Sequence, residues 1–418
     1  MTRSHRLASL SGIAGSVVLA TVLSSCSALG SQPGSETTPD SSGAPTTSTS
    51  SQSPSPSTPP TPDPVVLKAN VDDDATKVKV DTRVAVKASA GTVTKVKLTY
   101  KGVDGKGAKV DGSVKGSLSK DRLTWTADDR LEPSATYTLA MTGVNKTKQK
   151  QTTTATFKTA KLSLAQQTFA SVYPLPDSKV GVGMPLIVNF DVPVSDRAAF
   201  EKNLHVTSSP AQKGSWNWLS DREVHFRPKT YWKPGTKVTL DADLNGVNAG
   251  NGIYGQDSAA TSFTVGREMI TRVNLNTDYA KVYRDDKLVR TIAVTGGKPG
   301  WATRSGTKLI MAKEYNKVMT NEMIGAKEKY SLTAKYALRV TNSGEFLHAA
   351  PWSLANLGVR NASHGCVGMS VDNAGWLYEN SLIGDPVVTT GTSKGLEQGN
   401  GYADWNISYS QYKKGSAL

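Results

Sequence analysis

Residues 123–139 read LTWTADDRLEPSATYTL, and residues 224–240 read VHFRPKTYWKPGTKVTL, at a constant offset of 101 positions (224 − 123). A Gly-Val-Asn triplet follows each stretch, at Gly143 and Gly246. The matched pairs are Leu123 with Val224, Trp125 with Phe226, Leu131 with Trp232, Pro133 with Pro234, Tyr137 with Val238 and Leu139 with Leu240. The chain therefore carries a tandem repeat of about a hundred residues.

Each repeat consists of short alternating runs of Val, Leu, Thr and Tyr between Gly, Asp and Pro turns, without a helical period. This pattern is typical of an immunoglobulin-like sandwich of about seven strands. We expect two such domains in tandem, at residues 65–161 and 162–266. Neither gathers catalytic residue types: His205 and His225 are isolated, and we interpret them as surface or strand residues. The two domains are expected to act as spacers or docking surfaces.

The N-terminus has the features of an export signal. Arg3 and Arg6 precede an uncharged apolar run that ends in LSSC at Cys26, which predicts a signal peptide at 1–25 rather than a membrane span. LSSC resembles a bacterial lipobox, so Cys26 is expected to carry lipid and hold the exported protein on the outer face of the plasma membrane, in the cell envelope. The alternative is an ordinary signal peptide with an incidental cysteine. Residues 26–64 are rich in Ser, Thr and Pro and are expected to form a disordered tether.

The charge distribution and the cysteine content restrict the partners of the chain and the roles open to its cysteines. The 418 residues include 49 Lys+Arg and 35 Asp+Glu, a formal net charge of +14. The basic residues are dispersed along strands and form no helical stripe, which argues against nucleic acid and for loose attraction to an anionic envelope. The chain has two cysteines. If Cys26 carries lipid, Cys366 has no disulfide partner, and an exported free thiol is either buried or used.

Residues 267–391 are expected to form a third, mainly β domain, with 392–418 as a tail that packs on it. The segment ASHGCVGMS places Cys366 in a loop just before a helix. Ser370 is expected to cap this helix, Gly384 to end it, and the apolar side is expected to consist of Val371, Ala374, Leu377, Tyr378 and Leu382.

Cys366 is placed for nucleophilic chemistry. A thiol becomes reactive beside an imidazole or a helix N-terminus, and His348 and His364 are the histidines of this domain. Gly365 lets the backbone bend and expose N–H groups, which can face a developing oxyanion.

His348 together with Ser363-His364-Gly365-Cys366 resembles the signature of the L,D-transpeptidases, whose catalytic domain is of the YkuD type. Further matching elements are Thr303 and Gly306, Tyr330, Ser343-Gly344, HAAPW at His348–Trp352 and ADWNISYSQY from Ala403. The resemblance implies a mainly β chain: two tandem immunoglobulin-like β-sandwiches, then a YkuD-type β-sandwich with a short helix after the nucleophile.

The resemblance also implies a mechanism without cofactor or metal. Cys366 would attack the diaminopimelate carbonyl of a peptidoglycan tetrapeptide stem, expel D-alanine and pass the acyl group to the amine of an acceptor stem, giving a 3-3 cross-link. Carbapenem β-lactams would acylate the same thiol. His348 would be the general base, with its ring oriented by a carbonyl near Ala349, and the N–H groups of Gly365 and Cys366 would bind the oxyanion. The remaining implied site residues are Ser363 and His364 beside the nucleophile, and Tyr330, Ser343, Gly344, Met319, Trp352 and Gly368 around the substrate.

The sequence departs from the family pattern at two positions. Gly368 stands where the family usually has Asn, and we interpret it as a missing substrate contact. Arg304 stands where the TPxG element usually has Pro. Both positions bear on substrate preference or on the level of activity.

Other readings of the same residues remain open. His348, His364 and Cys366 could bind Zn²⁺ with an open fourth position, which would make the protein a wall amidase. The chain could also be a wall-binding lipoprotein that has lost catalysis.

Overall fold

The computed structural model describes residues 63–103 and 108–418. The predicted signal peptide, Cys26 and nearly all of the 26–64 tether lie outside these residues. Within them, no helix has the length and apolar character needed to span a membrane.

The first sandwich is built from strands in which buried and exposed side chains alternate over part of their length, as in β7 and the first half of β8. Over the described residues, one sheet has the order β1-β3-β7-β6 and the other β2-β9-β8-β4-β5. Tyr137 of β8 is fully buried and stacks on Phe157 of β9, with 5.1 Å between ring centroids. The strands are β1 (Val66–Ala69), β2 (Ala75–Val78), β3 (Ala85–Ser89), β4 (Gly91–Val103), β5 (Lys109–Val114), β6 (Gly116–Leu118), β7 (Thr124–Ala127), β8 (Ala135–Asn145) and β9 (Lys150–Thr159).

The second sandwich has main sheets of order β11-β13-β16-β15 and β12-β20-β17-β14, with a small sheet β10-β19-β18 beside them. A 3-10 turn at Leu164–Gln166 precedes its first strand, and helix α1 (Arg197–Glu201) lies between β13 and β14. The strands are β10 (Gln167–Thr168), β11 (Ala170–Tyr173), β12 (Lys179–Val180), β13 (Leu186–Phe190), β14 (Leu204–Ser209), β15 (Gly214–Trp218), β16 (Glu223–Pro228), β17 (Lys237–Ala242), β18 (Asn248–Gly250), β19 (Ile253–Gly255) and β20 (Ala259–Val265).

The tandem repeat of the sequence corresponds to equivalent strands. β7 and β16 occupy one sheet of each sandwich, while β8 and β17 occupy the facing sheet. Leu123 departs from the repeat, because it is 43% exposed whereas its match Val224 is buried. The matched pairs that lie in the two cores are Trp125 and Phe226, Leu131 and Trp232, Tyr137 and Val238, and Leu139 and Leu240.

The third domain contains two sheets. Their strand orders are β23-β22-β21-β29-β24 and β25-β26-β27-β28. Parallel pairs β21–β29 and β27–β28 join segments that are distant in sequence. The mainly β class expected from the sequence, with two β-sandwiches in tandem, a third β domain and a short helix after Cys366, is confirmed. The strands are β21 (Met269–Asn274), β22 (Tyr279–Arg284), β23 (Lys287–Ala293), β24 (Gly306–Leu309), β25 (Ala312–Thr320), β26 (Ser331–Arg339), β27 (Phe346–Ala349), β28 (Val367–Met369) and β29 (Pro386–Thr390).

The helix after the nucleophile is α2 (Val371–Asn380), with Ser370 as its N-cap. The Asn373 N–H donates to Ser370 Oγ at 3.3 Å, as the sequence predicted for the capping residue. The predicted apolar face is only partly right: Ala374 and Leu377 are buried, but Val371 is exposed at the first helical position. The helix also ends at Asn380, before Gly384, so Leu382 lies outside it.

The sequence predicts that the C-terminal tail packs on the catalytic domain. Its first part does so, since the Leu396 N–H donates to the Ser305 carbonyl at 2.8 Å and Asn400 Oδ1 accepts from the Ser343 N–H at 2.9 Å, whereas its last part packs on the second sandwich. Asn406 does contact β24, accepting from the Thr307 N–H at 3.2 Å. Beyond it, the guanidinium of Arg227 in β16 lies 4.4 Å from the Tyr412 ring centroid, and Glu201 accepts from the Ala417 N–H at 2.7 Å. The tail therefore joins the two domains. It contains 3-10 turns at Asp404–Asn406 and Lys413–Gly415 and helix α3 (Tyr409–Tyr412).

His225 of β16 lies at the centre of this contact. Its Nδ1 is 2.9 Å from Asp404 Oδ1 and its Nε2 is 2.8 Å from Glu223 Oε1. Tyr412 also donates its hydroxyl to Asp404, at 3.1 Å. The prediction that His225 is isolated was wrong, because its main partner comes from the tail, which covers the outer face of β16.

Candidate active site

The SHGC loop is a tight turn closed by the Ser363 side chain. Ser363 Oγ donates to the Cys366 carbonyl at 2.6 Å and accepts from the Gly365 N–H at 3.1 Å. Gly365 has a φ of +120°, a conformation that strongly favours glycine. The sequence predicts that the Gly365 N–H faces an oxyanion. In the structure, the Gly365 N–H donates to the Ser363 hydroxyl instead. Of the two N–H groups expected to bind the oxyanion, only that of Cys366 remains available.

The Cys366 thiol lies against the segment that leads into β27. Its Sγ is 3.7 Å from the Gly344 carbonyl, within the range of a weak S–H hydrogen bond. Burial raises the pKa of the thiol to about 12, although the Phe346 N–H acts in the opposite direction. The thiol is therefore protonated at neutral pH, and forming the thiolate requires a base.

His348 is a buried residue of β27 and is held in one tautomer. Its Nδ1 donates to the Ala349 carbonyl at 2.7 Å, the contact expected from the sequence, so Nε2 of the neutral ring carries a lone pair. In the parallel pair β27–β28, His348 lies opposite Gly368, two residues after Cys366. Cys366 directly precedes β28, so the strand that carries His348 is paired with the segment that follows the nucleophile. Burial also lowers the pKa of His348, which keeps the ring neutral.

His364 is turned toward a different set of residues. Its Nε2 is 3.2 Å from Glu328 Oε2, and its ring stacks on Tyr330 with 5.2 Å between centroids. Trp301 contacts the same ring edge-on at 5.2 Å. His364 therefore ties the SHGC turn to the loop between β25 and β26. In the part of the chain that the structure describes, no three His, Cys, Asp or Glu side chains form a group that could hold a metal ion.

The predicted substrate residues are placed unevenly around the thiol. Gly344 contacts it directly. Ser343, beside Gly344, is exposed and accepts from Asn400 Nδ2 at 3.0 Å. Trp352 is 51% exposed and stacks on His348 at 5.8 Å between centroids, so it forms an apolar wall beside the base. Met319 lies in β25 opposite Leu332, and none of its described contacts joins it to Cys366 or His348.

Gly368 does not leave the vacant space that we had inferred from the sequence. It is buried, and its N–H and carbonyl are both bonded to the backbone of Thr295, at 2.9 and 3.0 Å. A Cβ built on Gly368 would lie 2.9 Å from the Ala350 Cβ and 3.1 Å from Thr295 Cγ2. An asparagine here requires Ala350 to move, so the site is packed around glycine.

Sequence reasoning missed a buried ion-pair network behind the SHGC turn. Lys308 of β24 is 1% exposed and Glu345 is 4% exposed, with 2.7 Å between Nζ and Oε2. The other oxygen, Oε1, accepts from the backbone N–H and from Nη1 of Arg304, each at 3.0 Å. Arg304 thus replaces the usual proline with an ion-pair partner. The available signal was slight: Lys308 directly precedes the apolar run Leu309-Ile310-Met311, and a lysine that is buried at such a position requires a buried anion.

Comparison with known proteins agrees with this architecture. A family model described as a bacterial Ig domain matches residues 75–248, and one described as the L,D-transpeptidase catalytic domain matches residues 269–389.

The chain is 34% identical to L,D-transpeptidase 2 of Mycobacterium tuberculosis over 84% of this chain and 85% of the relative. It is 32% identical to L,D-transpeptidase 5 of the same species, over 73% of this chain and 68% of the relative. A solved LD transpeptidase in complex with imipenem is 33% identical, with a TM-score of 0.47 over 54% of this chain and 99% of that one. The chain therefore belongs to the L,D-transpeptidase family.

Proposed function

We propose that Cys366 is the nucleophile of this L,D-transpeptidase and that His348 is its general base. The observation that carries the proposal is the 2.7 Å hydrogen bond from His348 Nδ1 to Ala349, which leaves Nε2 free on the strand paired with the segment after Cys366. A base needs a fixed tautomer and a short path to the proton that it removes.

The reaction begins on a tetrapeptide stem with the carbonyl of its third residue, diaminopimelate, next to the thiol. Cys366 Sγ forms a bond to this carbon while its proton passes to His348 Nε2. The carbon–nitrogen bond to D-alanine then breaks, and the imidazolium returns the proton to the departing amine. The amine of a second stem attacks the thioester, loses a proton to Nε2 and restores the thiol, giving a 3-3 cross-link. The Cys366 N–H is the proposed donor to the oxyanion in both halves.

The pKa values support proton transfer during attack rather than a preformed ion pair. The thiol has its pKa raised to about 12 and the imidazole has its pKa lowered, both by burial. A neutral His348 therefore remains available as a base below its ordinary pKa of 6.5. The proposed contacts of the stem are Gly344, which contacts the thiol, Ser343 beside it in the chain, and the exposed face of Trp352 beside His348.

We also propose, from the amino-acid sequence, that the N-terminus anchors the protein to a membrane through lipid. The LSSC segment supports lipid attachment at Cys26 and export to the outer face of the plasma membrane, with residues 26–64 as the tether. The two sandwiches would then separate the membrane from the catalytic domain.

The proposed activity is tested with the full chain and a purified disaccharide-tetrapeptide, with products identified by mass spectrometry. We expect a 3-3 linked dimer and one free D-alanine per cross-link from the wild type. Cys366→Ala should give neither, and a chelator should change neither.

Two other outcomes would favour the alternative functions. A folded wild-type protein that releases no D-alanine and binds wall fragments would indicate the non-catalytic reading. Loss of activity on chelation would indicate the zinc amidase reading instead.

A further inference from the structure

The buried charges of Lys308 and Glu345 lie next to the proposed nucleophile but have no part in the proton transfers above. Taking an ammonium and a carboxylate out of water costs several kcal/mol per ion, roughly, and is tolerated where the ions are paired and fully hydrogen-bonded. Here Glu345 is paired on both oxygens, by Lys308 at 2.7 Å and by Arg304 at 3.0 Å. Arg304 is held in turn by Glu397, and this contact lowers the pKa of that carboxyl to about 2.

Glu345 connects this network to the thiol. It stands in the chain between Gly344, whose carbonyl is 3.7 Å from Cys366 Sγ, and Phe346, whose N–H acts on the same sulfur. A Cβ built on Gly365 would lie 3.8 Å from Glu345 Cγ and 3.9 Å from Oε1. The carboxylate therefore lies against the SHGC turn, and its pairing fixes the backbone that contacts the thiol.

We propose that Lys308 and Glu345 are positioning residues that hold the Gly344–Phe346 segment against Cys366 and set the electrostatic potential at its sulfur. This inference rests on the proposed function, because it assigns a role relative to Cys366 as nucleophile. The ammonium of Lys308 favours the thiolate, whereas the carboxylate of Glu345 disfavours it. The directions of their effects on the pKa of Cys366 agree with these signs.

The charges of Lys308 and Glu345 affect the Cys366 thiolate with opposite signs, and this distinguishes the proposed role from a merely structural one. If the pair only supports the fold, removing either member should disturb the thiol in the same sense. The other titratable or charged groups around the SHGC turn include His364 in the turn itself, His348 on β27 and Tyr330 on the loop between β25 and β26, while Arg304 lies on the far oxygen of Glu345. They are unchanged in the variants below, so they do not alter the sign of the comparison.

The test uses the full chain with Lys308→Met and Glu345→Gln, and it follows alkylation of Cys366 by iodoacetamide at several pH values by intact mass. Below the pKa of the thiol, a rise of one pH unit in that pKa lowers the thiolate fraction about tenfold. We expect alkylation to become severalfold slower in Lys308→Met and severalfold faster in Glu345→Gln at each pH. Both variants should lower kcat for a tetrapeptide donor more than they change KM, because both loosen the segment against the thiol.

Controls keep the result interpretable. Lys308→Arg keeps the charge and should alkylate at a rate near that of the wild type. Lys313→Met removes another partly buried lysine of the domain, whose Nζ donates to the Ser381 carbonyl at 2.9 Å, and should change neither rate. If a single variant fails to fold, Lys308→Met/Glu345→Gln removes both charges together, which proteins often tolerate. This double variant should alkylate near the wild-type rate but transfer acyl groups more slowly.

Equal slowing of alkylation in both single variants, or wild-type alkylation and kcat in the double variant, would overturn the inference. Cross-linking that persists in Cys366→Ala would instead overturn the proposed function, so the two failures are distinguishable.

Discussion

Replacing His225 with Gln should loosen the C-terminal tail from the second sandwich. The imidazole is buried, and it is bonded to Asp404 at 2.9 Å and to Glu223 at 2.8 Å. Burial alone would lower the pKa of His225, but the two carboxylates outweigh it and raise the pKa from 6.5 to about 9. At about 1.4 kcal/mol per pH unit, this rise corresponds to roughly 3 kcal/mol of stabilisation by the charged ring.

The pH dependence has a definite sign. Because the folded pKa is above the unfolded value, the stabilisation is complete below pH 6.5 and is lost as the pH rises through about 9. Asp404 has its pKa lowered by the His225 charge despite the opposing effect of burial, so a second loss is expected in acid, as the pH falls below 3.8 and that carboxylate is protonated.

Hydrogen exchange of the tail amides, compared between the wild type and the variant at several pH values, measures this directly. The wild-type tail should open on the order of a hundred times more often at about pH 10 than at about pH 6, after correction for intrinsic exchange. His225→Gln should remove this dependence and leave the tail open at both. His205→Gln is the matched control, because His205 lies exposed on β14. A pH-dependent tail in His225→Gln, or equal protection of the wild type at both pH values, would refute the reasoning.

Three further outcomes are expected. Gly368→Asn should destabilise the catalytic domain by about 1–3 kcal/mol through overpacking against Ala350 and should slow acylation, while Gly368→Asn/Ala350→Gly should recover part of the loss in both thermal melting and kinetics. Acylation by a carbapenem should stay nearly constant as the pH falls through 6.5 and decline only in more acid solution, since the pKa of His348 is lowered; a half-maximal rate above pH 6.5 would contradict this. Cys26→Ala should move the protein from the detergent phase to the aqueous phase in phase partitioning, and unchanged partitioning would contradict lipid attachment.

The sequence predicts the features whose causes are local. The repeat and its alternating pattern predicted two sandwiches in tandem, and the matched residues Trp125, Leu131 and Tyr137 are buried in the first of them. A single capping residue, Ser370, located the start of the helix after the nucleophile. The order of His348 and the SHGC segment was enough to suggest the family before any contact was known.

What the sequence could not predict depends on contacts between distant segments. His225 and Asp404 are 179 positions apart, and only the path of the tail across β16 brings them together. Lys308 of β24 and Glu345, just before β27, are 37 positions apart and belong to different sheets, so it is the packing of the two sheets that brings them together. The misreading of Gly368 has the same origin, because the space beside it is filled by Ala350 and Thr295 rather than by its sequence neighbours.

The central claim is that acyl transfer passes through Cys366 with His348 as its base. The most direct measurement is intact-mass analysis of the enzyme quenched in acid during turnover of a tetrapeptide donor without acceptor, followed by peptide mapping. We predict an adduct equal to the donor minus D-alanine on the peptide that carries Cys366, formed far more slowly in His348→Gln and absent in Cys366→Ala. An adduct on another residue, or cross-linked product from Cys366→Ala, would contradict the claim.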